Sequence, residues 1–395
     1  MTSNEIKALY KDNIMQTYAR FDVVIDHGQG ARVYSPEGKE YIDFTSGIGV
    51  NSLGYGNVKW AEAIYQQALK LQHMSNLFYT EPGAALAREL TARSGMAAVF
   101  YANSGAESNE GAIKLARKYS FDKYGQGRSK IVTLVQSFHG RTITTLAATG
   151  QDNFHTYFFP FTQGFAHARA NDMESLKSVA DSETCAVMLE LVQGEGGVLP
   201  LAPEYVKQVE AFCKEKDLVF IVDEVQTGVG RTGALFAYQQ YDVSPDVVTF
   251  AKGIAGGLPM GGILANEKCA GVLTAGTHAA TFGGNPVTCA AALAVLSQLT
   301  PALIADVAGK GARIKKTITG WNSPRVKEVR GLGLMLGVSI QGAAPKEIAA
   351  KCIDSGLLML TAGADAIRML PPLTITDEEI DAGLAILEKV LEDAK

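Results

Sequence analysis

The sequence predicts an α/β protein, with a large unit built on a mostly parallel sheet and a smaller α+β unit behind it. Between residues 98 and 252, short apolar runs alternate with helix-patterned stretches, which places helices on both faces of a parallel sheet. Near residue 280 the texture changes to a small-residue loop followed by shorter strand and helix units. At 395 residues the chain is also longer than one simple core accommodates. The boundaries read as 51–280 for the large unit and 281–395 for the small one, joined by the segment 1–50.

The first fifty residues read as strand-rich and irregular. Segments 21–25 and 31–34 are expected strands, Pro36 and Gly38 mark a turn, and 41–44 returns as the other arm of a hairpin. A glycine-rich passage from Gly47 to Gly56 leads into a helix over 58–74. Pro82 opens another, because proline suits the first helical turn. Strand 98–101 precedes a helix over 105–124, on which Ala112, Leu115, Ala116 and Tyr119 share one face and which Gly125 stops. Strands 130–135 and 184–190 follow. A helix from Pro203 to about Lys216 leads to strand 218–224, and the strand that begins at Asp246 and ends at Lys252 comes next. Pro286 starts an apolar helix to about Leu299, and a second spans 301–319. Short strands are then expected at 326–329, 334–340, 357–361 and 366–370. Thr376 with Glu379 forms a capping box for a final helix striped by Ile380, Leu384, Leu387 and Leu391.

Composition narrows the function. A chain 47% hydrophobic and 19% charged is ordinary for a soluble globular protein, and a net charge of −5 offers no basic footprint for nucleic acid. Five cysteines (Cys185, Cys213, Cys269, Cys289, Cys352) lack CxxC or zinc-type spacing, so they read as reduced, buried and without metal. Glu5, Lys7, Lys11 and Asp12 interrupt any secretory apolar core, and no apolar run reaches membrane-spanning length. The expectation is a cytoplasmic protein with neither membrane nor nucleic acid as partner.

Chemistry concentrates at strand ends. The run Asp246-Val247-Val248-Thr249-Phe250-Ala251-Lys252 delivers one lysine and then turns into Gly253, Gly256 and Gly257. Burying an ammonium is costly, and glycines admit a bulky group close to the backbone. Lys252 is therefore a candidate Schiff-base amine, the alternative being a strand-end lysine that reaches solvent. Leu218-Val219-Phe220-Ile221-Val222-Asp223-Glu224 ends a second strand in acid. Asp223 could hold a pyridine nitrogen protonated, or, as in a P-loop enzyme, ligate Mg²⁺; the GxxxxGK[ST] partner of the second reading is absent. A lysine and an aspartate so placed are what pyridoxal phosphate requires.

Asn103-Ser104-Gly105-Ala106-Glu107 opens a helix straight after a strand, which suits an anion, although Ser104 and Glu107 also fit an ordinary capping box. Phe138, His139 and Arg141 share one loop; Phe138 could stack on a flat ring and Arg141 could bind a carboxylate. Arg368, in an apolar strand ending at Pro371 and Pro372, needs an anionic partner, and Glu190 or Glu195 could supply one. Gly228-Val229-Gly230-Arg231-Thr232-Gly233 matches GxGxxG formally. It neither leaves a strand directly nor has room for a long helix, so a nicotinamide-dependent oxidoreductase is a weaker reading. A catalytically silent binding protein on the same fold is a third.

In this order the motifs resemble the class III pyridoxal-phosphate aminotransferases of fold type I, and more narrowly the acetylornithine aminotransferase subgroup. They are Asn103 to Glu107, Phe138 to Thr142, Glu190 to Gly197, Asp223 to Gly228, Ala251-Lys252-Gly253, Thr281 to Pro286 and Arg368 to Pro372. The resemblance implies pyridoxal 5'-phosphate as cofactor. It makes Lys252 its covalent anchor and proton carrier, Asp223 the partner of the ring nitrogen, and Gln226 that of the phenolic oxygen. Phe138 would stack on the ring beside Val225, and Ser104, Gly105 and Ala106 would seat the phosphate. Thr281 would reach the phosphate of a neighbouring subunit, so a homodimer is implied. Arg368 would bind the α-carboxylate of 2-oxoglutarate, Glu195 would screen it, and Arg141 would take a substrate carboxylate. Ala280 stands where the subgroup commonly has serine, which affects substrate contacts. The implied reaction moves the δ-amino group of N²-acetylornithine to 2-oxoglutarate, with ornithine, N-succinyl-diaminopimelate or another ω-amino acid as alternative donors.

Overall fold

A seven-stranded sheet organises the computed structural model, which describes residues 1–394. Its spatial order is Ala98–Ala102, Gly261–Ala265, Val247–Phe250, Val219–Asp223, Thr184–Leu189, Lys130–Leu134, Phe165–Ala168. Gly261–Ala265 runs antiparallel to both neighbours, and the other pairings are parallel. Thr184–Leu189, Val219–Asp223 and Val247–Phe250 are buried along their whole length. That explains why they read as continuous apolar runs instead of alternating ones. Each fully buried large side chain there, such as Met188 or Phe250, contributes about 1.5–3 kcal/mol of transfer free energy.

The parallel strands end at one edge of the sheet. Asn103 follows Ala98–Ala102, Phe138 follows Lys130–Leu134, Glu190 follows Thr184–Leu189, Asp223 ends its own strand, and Lys252 follows Val247–Phe250. Open α/β sheets bind ligands outside this carboxyl edge, since the helix starts and loops gather there.

A second sheet pairs Val326–Leu332, Met335–Ile340, Ala366–Met369 and Leu360–Ala362. The first hairpin strands join the far end of the chain: Glu40–Asp43 pairs in parallel with Leu357–Leu358. The expected strand 357–361 thus divides between two sheets at Met359. Helix Pro286–Gln298, assigned from sequence to the smaller unit, packs on Val58–Lys70 and Glu81–Ser94 of the larger.

Several elements differ from the sequence reading. Residues 21–25 form no strand; the N-terminal hairpin begins at His27–Gln29. Ahead of it lies a helix, Ser3–Asn13, where irregular structure was expected; Thr2 and Glu5 cap it reciprocally. The helix Pro345–Asp354 and the strands Phe165–Ala168 and Gly261–Ala265 are additions. Gly261 and Gly262 disguised the last of these, yet glycine is required there: a Cβ on Gly262 would overlap the Phe100 carbonyl and the Phe250 ring. Among the described residues no single helix is long and apolar enough to cross a membrane.

Candidate active site

The carboxyl edge of the large sheet opens into a cavity of about 590 Å³. Ser104, Gly105, Ala106, Phe138, Arg141, Asp223, Val225, Gln226 and Lys252 line it, so the structure brings together nine of the predicted site residues. Arg368 and Glu195 adjoin through Gln226.

Lys252 does not end a strand. It lies in the short 3₁₀ turn Lys252–Ala255 with φ of 45°, a left-handed conformation that costs a β-carbon-bearing residue of order 1–2 kcal/mol. The turn aims its side chain into the cavity, and no hydrogen bond or ion pair holds the amine among the described residues. Burial pushes its ammonium below the usual range; Glu195 opposes that shift and Arg368 reinforces it. A free amine of this kind is nucleophilic at lower pH than an exposed lysine.

Asp223 is almost fully buried and its carboxylate is held by four neighbours. Asn109 Nδ2 and His139 Nδ1 each lie 2.8 Å from Oδ2, while Val225 N–H and Thr249 Oγ1 donate to Oδ1 at 3.0 and 3.3 Å. Together these polar neighbours fix the direction of the carboxylate. His139 and Asn109 are site residues that sequence reasoning did not assign. His139 was visible in its loop without a role; Asn109 looked like one more residue on a capped helix.

The helix Gly105–Tyr124 points its first turn at the cavity. Ser104 Oγ accepts from Glu107 N–H at 3.1 Å, but Glu107 reaches back to Asn103 N–H instead of closing the box on Ser104. Only half of the expected capping box forms. The first N–H groups of a helix have no partner within it, and they make an anion seat. A Cβ on Gly105 would stand 2.7 Å from Val225 Cγ1, so that cradle admits glycine only.

Phe138 N–H donates to Glu190 Oε2 at 2.9 Å, which anchors the aromatic loop to the neighbouring strand end. Burial drives the Glu190 carboxyl above its usual range, and His139 pulls it back. Arg141 is exposed at the mouth, stacked 4.1 Å from the Phe154 ring centroid and 5.5 Å from that of Phe138, with no carboxylate partner among the described residues. Tyr18, from the segment before the first hairpin, also lines the cavity and was not anticipated.

Arg368 is buried and paired. Its Nη1 lies 2.6 Å from Glu195 Oε1 and donates to Gln226 Oε1 at 3.2 Å, while Gln226 Nε2 donates to Glu195 Oε1 at 3.3 Å. Burial alone would raise the Glu195 carboxyl, but the charge and hydrogen bonds of Arg368, together with Lys252 and Gln226, hold it below the usual range. The two acids that sequence left open are thus distinguished: Glu195 pairs Arg368, and Glu190 holds loops.

Ala280 and Thr281 are not brought to Lys252. They line a separate cleft of about 310 Å³ with Phe100, Asn103 and His278, and Thr281 is exposed. The GxGxxG match is structural. Its glycines form buried turns, and the next helix, Tyr238–Tyr241, has four residues. Within it Arg231 is buried and donates to the Leu334 and Pro371 carbonyls, tying the two units together. The nicotinamide reading has no site here.

The family Aminotransferase class-III matches residues 14–391. The chain is 53% identical over 395 residues to an acetylornithine aminotransferase of Haemophilus ducreyi, covering 100% of each. It is 47% identical to that of Caldanaerobacter subterraneus, covering 98% of each. Among solved structures, an ornithine aminotransferase from Toxoplasma gondii superposes with a TM-score of 0.95 at 31% identity, covering 99% of this chain and 95% of that one. An N-acetylornithine aminotransferase from Stenotrophomonas maltophilia does so with a TM-score of 0.84 at 37% identity, covering 98% of each. The chain belongs to the class III aminotransferases.

Proposed function

We propose that this aminotransferase uses pyridoxal 5'-phosphate to move the δ-amino group of N²-acetylornithine to 2-oxoglutarate, giving N-acetylglutamate 5-semialdehyde and glutamate. The residues fit the cofactor. The glycine-only cradle at Gly105, with Ser104 and Ala106, suits the phosphate, and Phe138 and Val225, which line the same cavity, suit a flat ring. Asp223, held in place by Asn109 and His139, suits a protonated ring nitrogen, and Gln226 suits the phenolic oxygen. When bound, the cofactor supplies an aldehyde that captures amines and a ring that accepts the electrons of a cleaved C–H bond.

The chain's own residues divide the remaining work. Lys252 anchors the cofactor and, with burial holding its ammonium below the usual range, takes and returns the proton at the reacting carbon. Arg141 receives the carboxylate far from that carbon through its planar fork. Arg368 decides which end of a substrate faces Lys252.

The observation that carries this reading is the contrast between two arginines: Arg368 screened by Glu195 and Arg141 unpaired at the mouth. A donor with one carboxylate and a distant amine leaves Glu195 on Arg368 and uses Arg141 alone. A dicarboxylate 2-oxo acid uses both arginines, displacing Glu195. Acetylation removes the α-ammonium, so the donor presents a plain anion to Arg141, and the relatives named for acetylornithine support that choice.

The homodimer is part of the proposal. Leu77, Phe78, Tyr79 and Phe282 leave an apolar surface exposed beside the cleft that holds Thr281. A second subunit covering it would receive Thr281 at its own phosphate seat. Donor identity is tested by kcat/KM with 2-oxoglutarate as acceptor, comparing N²-acetylornithine, ornithine, N-succinyl-diaminopimelate and 4-aminobutyrate. The reading expects N²-acetylornithine to lead; a clear lead for ornithine or 4-aminobutyrate overturns the substrate and leaves the chemistry.

A further inference from the structure

The turn 194–198, which carries Glu195, is gripped from both units of the chain. On one side Gly194 N–H donates to Glu190 Oε1 at 3.2 Å, and Gln193 Nε2 donates to the Val135 carbonyl at 2.9 Å. On the other side Arg330 Nε donates to the Gly197 carbonyl at 2.8 Å, and Gly363 N–H donates to the Glu195 carbonyl at 2.9 Å. Arg330 comes from strand Val326–Leu332 of the second sheet. Asp365 orients it, with Oδ1 2.7 Å from Nη2, and Ser339 Oγ donates to Asp365 Oδ2 at 2.6 Å.

The fit leaves little slack. A Cβ on Gly363 would stand 2.6 Å from the Gly196 carbonyl oxygen, and one on Gly197 would stand 3.0 Å from Arg330 Nη2. Neither Arg330 nor Asp365 lines the cavity, and neither touches Lys252, Asp223 or the Gly105 cradle.

We propose that Arg330, oriented by Asp365, is a positioning residue that holds the Glu195 turn against Arg368 and thereby sets the balance between the two substrates. The inference rests on the screening role given to Glu195 above. The charge-assisted hydrogen bond to the Gly197 carbonyl is the strongest tie from the second sheet to the turn, and the turn sets whether the Glu195 carboxylate reaches Arg368. Loosening it leaves Arg368 a buried cation without its screen. A monocarboxylate donor then meets an uncompensated charge, while a dicarboxylate no longer has to displace Glu195. The donor then weakens while the dicarboxylate does not, a split that uniform damage to the site does not produce.

The test uses the holoenzyme and Arg330→Met, which keeps length and removes every donor, with Asp365→Asn as a second, milder variant. KM is measured for N²-acetylornithine and for 2-oxoglutarate, and the Kd of glutarate, an unreactive dicarboxylate, by calorimetry. The expected result for Arg330→Met is a donor KM raised about tenfold, the scale of one charge-assisted hydrogen bond. The 2-oxoglutarate KM and the glutarate Kd should be unchanged or lower, and the visible absorption of the bound cofactor unchanged. Asp365→Asn should show the same split, smaller.

Equal weakening of donor and dicarboxylate in both variants, or no change in either, overturns the proposal. Glu195→Gln separates the two levels. If it splits the substrates and the Arg330 and Asp365 variants do not, Arg330 has no such role. If Glu195→Gln produces no split, the screening reading itself fails and this inference falls with it.

Discussion

His139 Nδ1 lies 2.8 Å from Asp223 Oδ2, and Asn109 Nδ2 meets the same oxygen at the same distance. With Val225 N–H and Thr249 Oγ1 on the other oxygen, the carboxylate is held in one orientation. Replacing Asp223 with Ala should lower kcat on the order of 10²-fold or more, as removal of a preorganised electrostatic partner does. It should also cost about 1–3 kcal/mol of stability, because buried donors are left unpaired. Steady-state kinetics and denaturant melts check both; a variant with normal kcat would remove Asp223 from the chemistry.

Gly105 gives a prediction confined to the phosphate seat. In Gly105→Ala the new Cβ must share space with Val225, whose β-branched side chain has few rotamers to escape into. Cofactor affinity, measured by titrating resolved apoenzyme with pyridoxal phosphate, should fall about tenfold or more, with the melting temperature of the apoenzyme little changed. Unchanged affinity would place the phosphate elsewhere.

Glu224 supplies a pH signature. Its carboxyl accepts from Tyr238 N–H at 2.8 Å and from Thr227 Oγ1, and burial pushes it up to about 7. The folded value lies above the ordinary carboxylate value, so this group's stabilising contribution is full at acid pH and is lost as pH rises through about 7. Glu224→Gln keeps an acceptor for Tyr238 and offers a donor to Thr227, without the charge. It should therefore be more stable than the parent at pH 8, by roughly 1–3 kcal/mol, and indistinguishable from it near pH 4, below the unfolded carboxyl's own titration. Chemical melts at the two pH values decide the matter; a variant less stable at pH 8 contradicts it.

Much of this site was legible because its residues sit at strand ends in chain order. Lys252, Asp223, Gly105 and Phe138 each follow an apolar run that marks its own strand, and the sheet then gathers those ends. Less legible were residues whose role depends on pairing across the sheet. Asn109 and His139 are separated from Asp223 by 114 and 84 positions, and no local pattern marks that meeting. The GxGxxG match misled for the opposite reason, since local spacing cannot tell a nucleotide loop from buried turns around Arg231. At the N-terminus Thr2 and Glu5 carried a capping box that was readable, but the stripe of Ile6, Leu9 and Tyr10 behind it is short, and none of the helix's residues is buried.

Thr281 lies outside the Lys252 cavity of its own chain, which makes subunit mixing informative. Lys252→Ala and Thr281→Ala proteins, each impaired alone, should regain activity when unfolded and refolded together. The hybrid then holds one site with its own Lys252 and the partner's intact threonine. Recovery no greater than the sum of the two parents would mean that Thr281 serves its own chain or no site at all.

The central claim is that Lys252 is the residue that covalently carries pyridoxal phosphate and turns over the amino group. Borohydride reduction of the yellow holoenzyme followed by peptide mass mapping tests it most directly. The pyridoxyl mass should appear on the peptide containing Lys252 and disappear when the enzyme is first converted with N²-acetylornithine. A label on another lysine, or a colourless protein that cannot be loaded, would contradict the account.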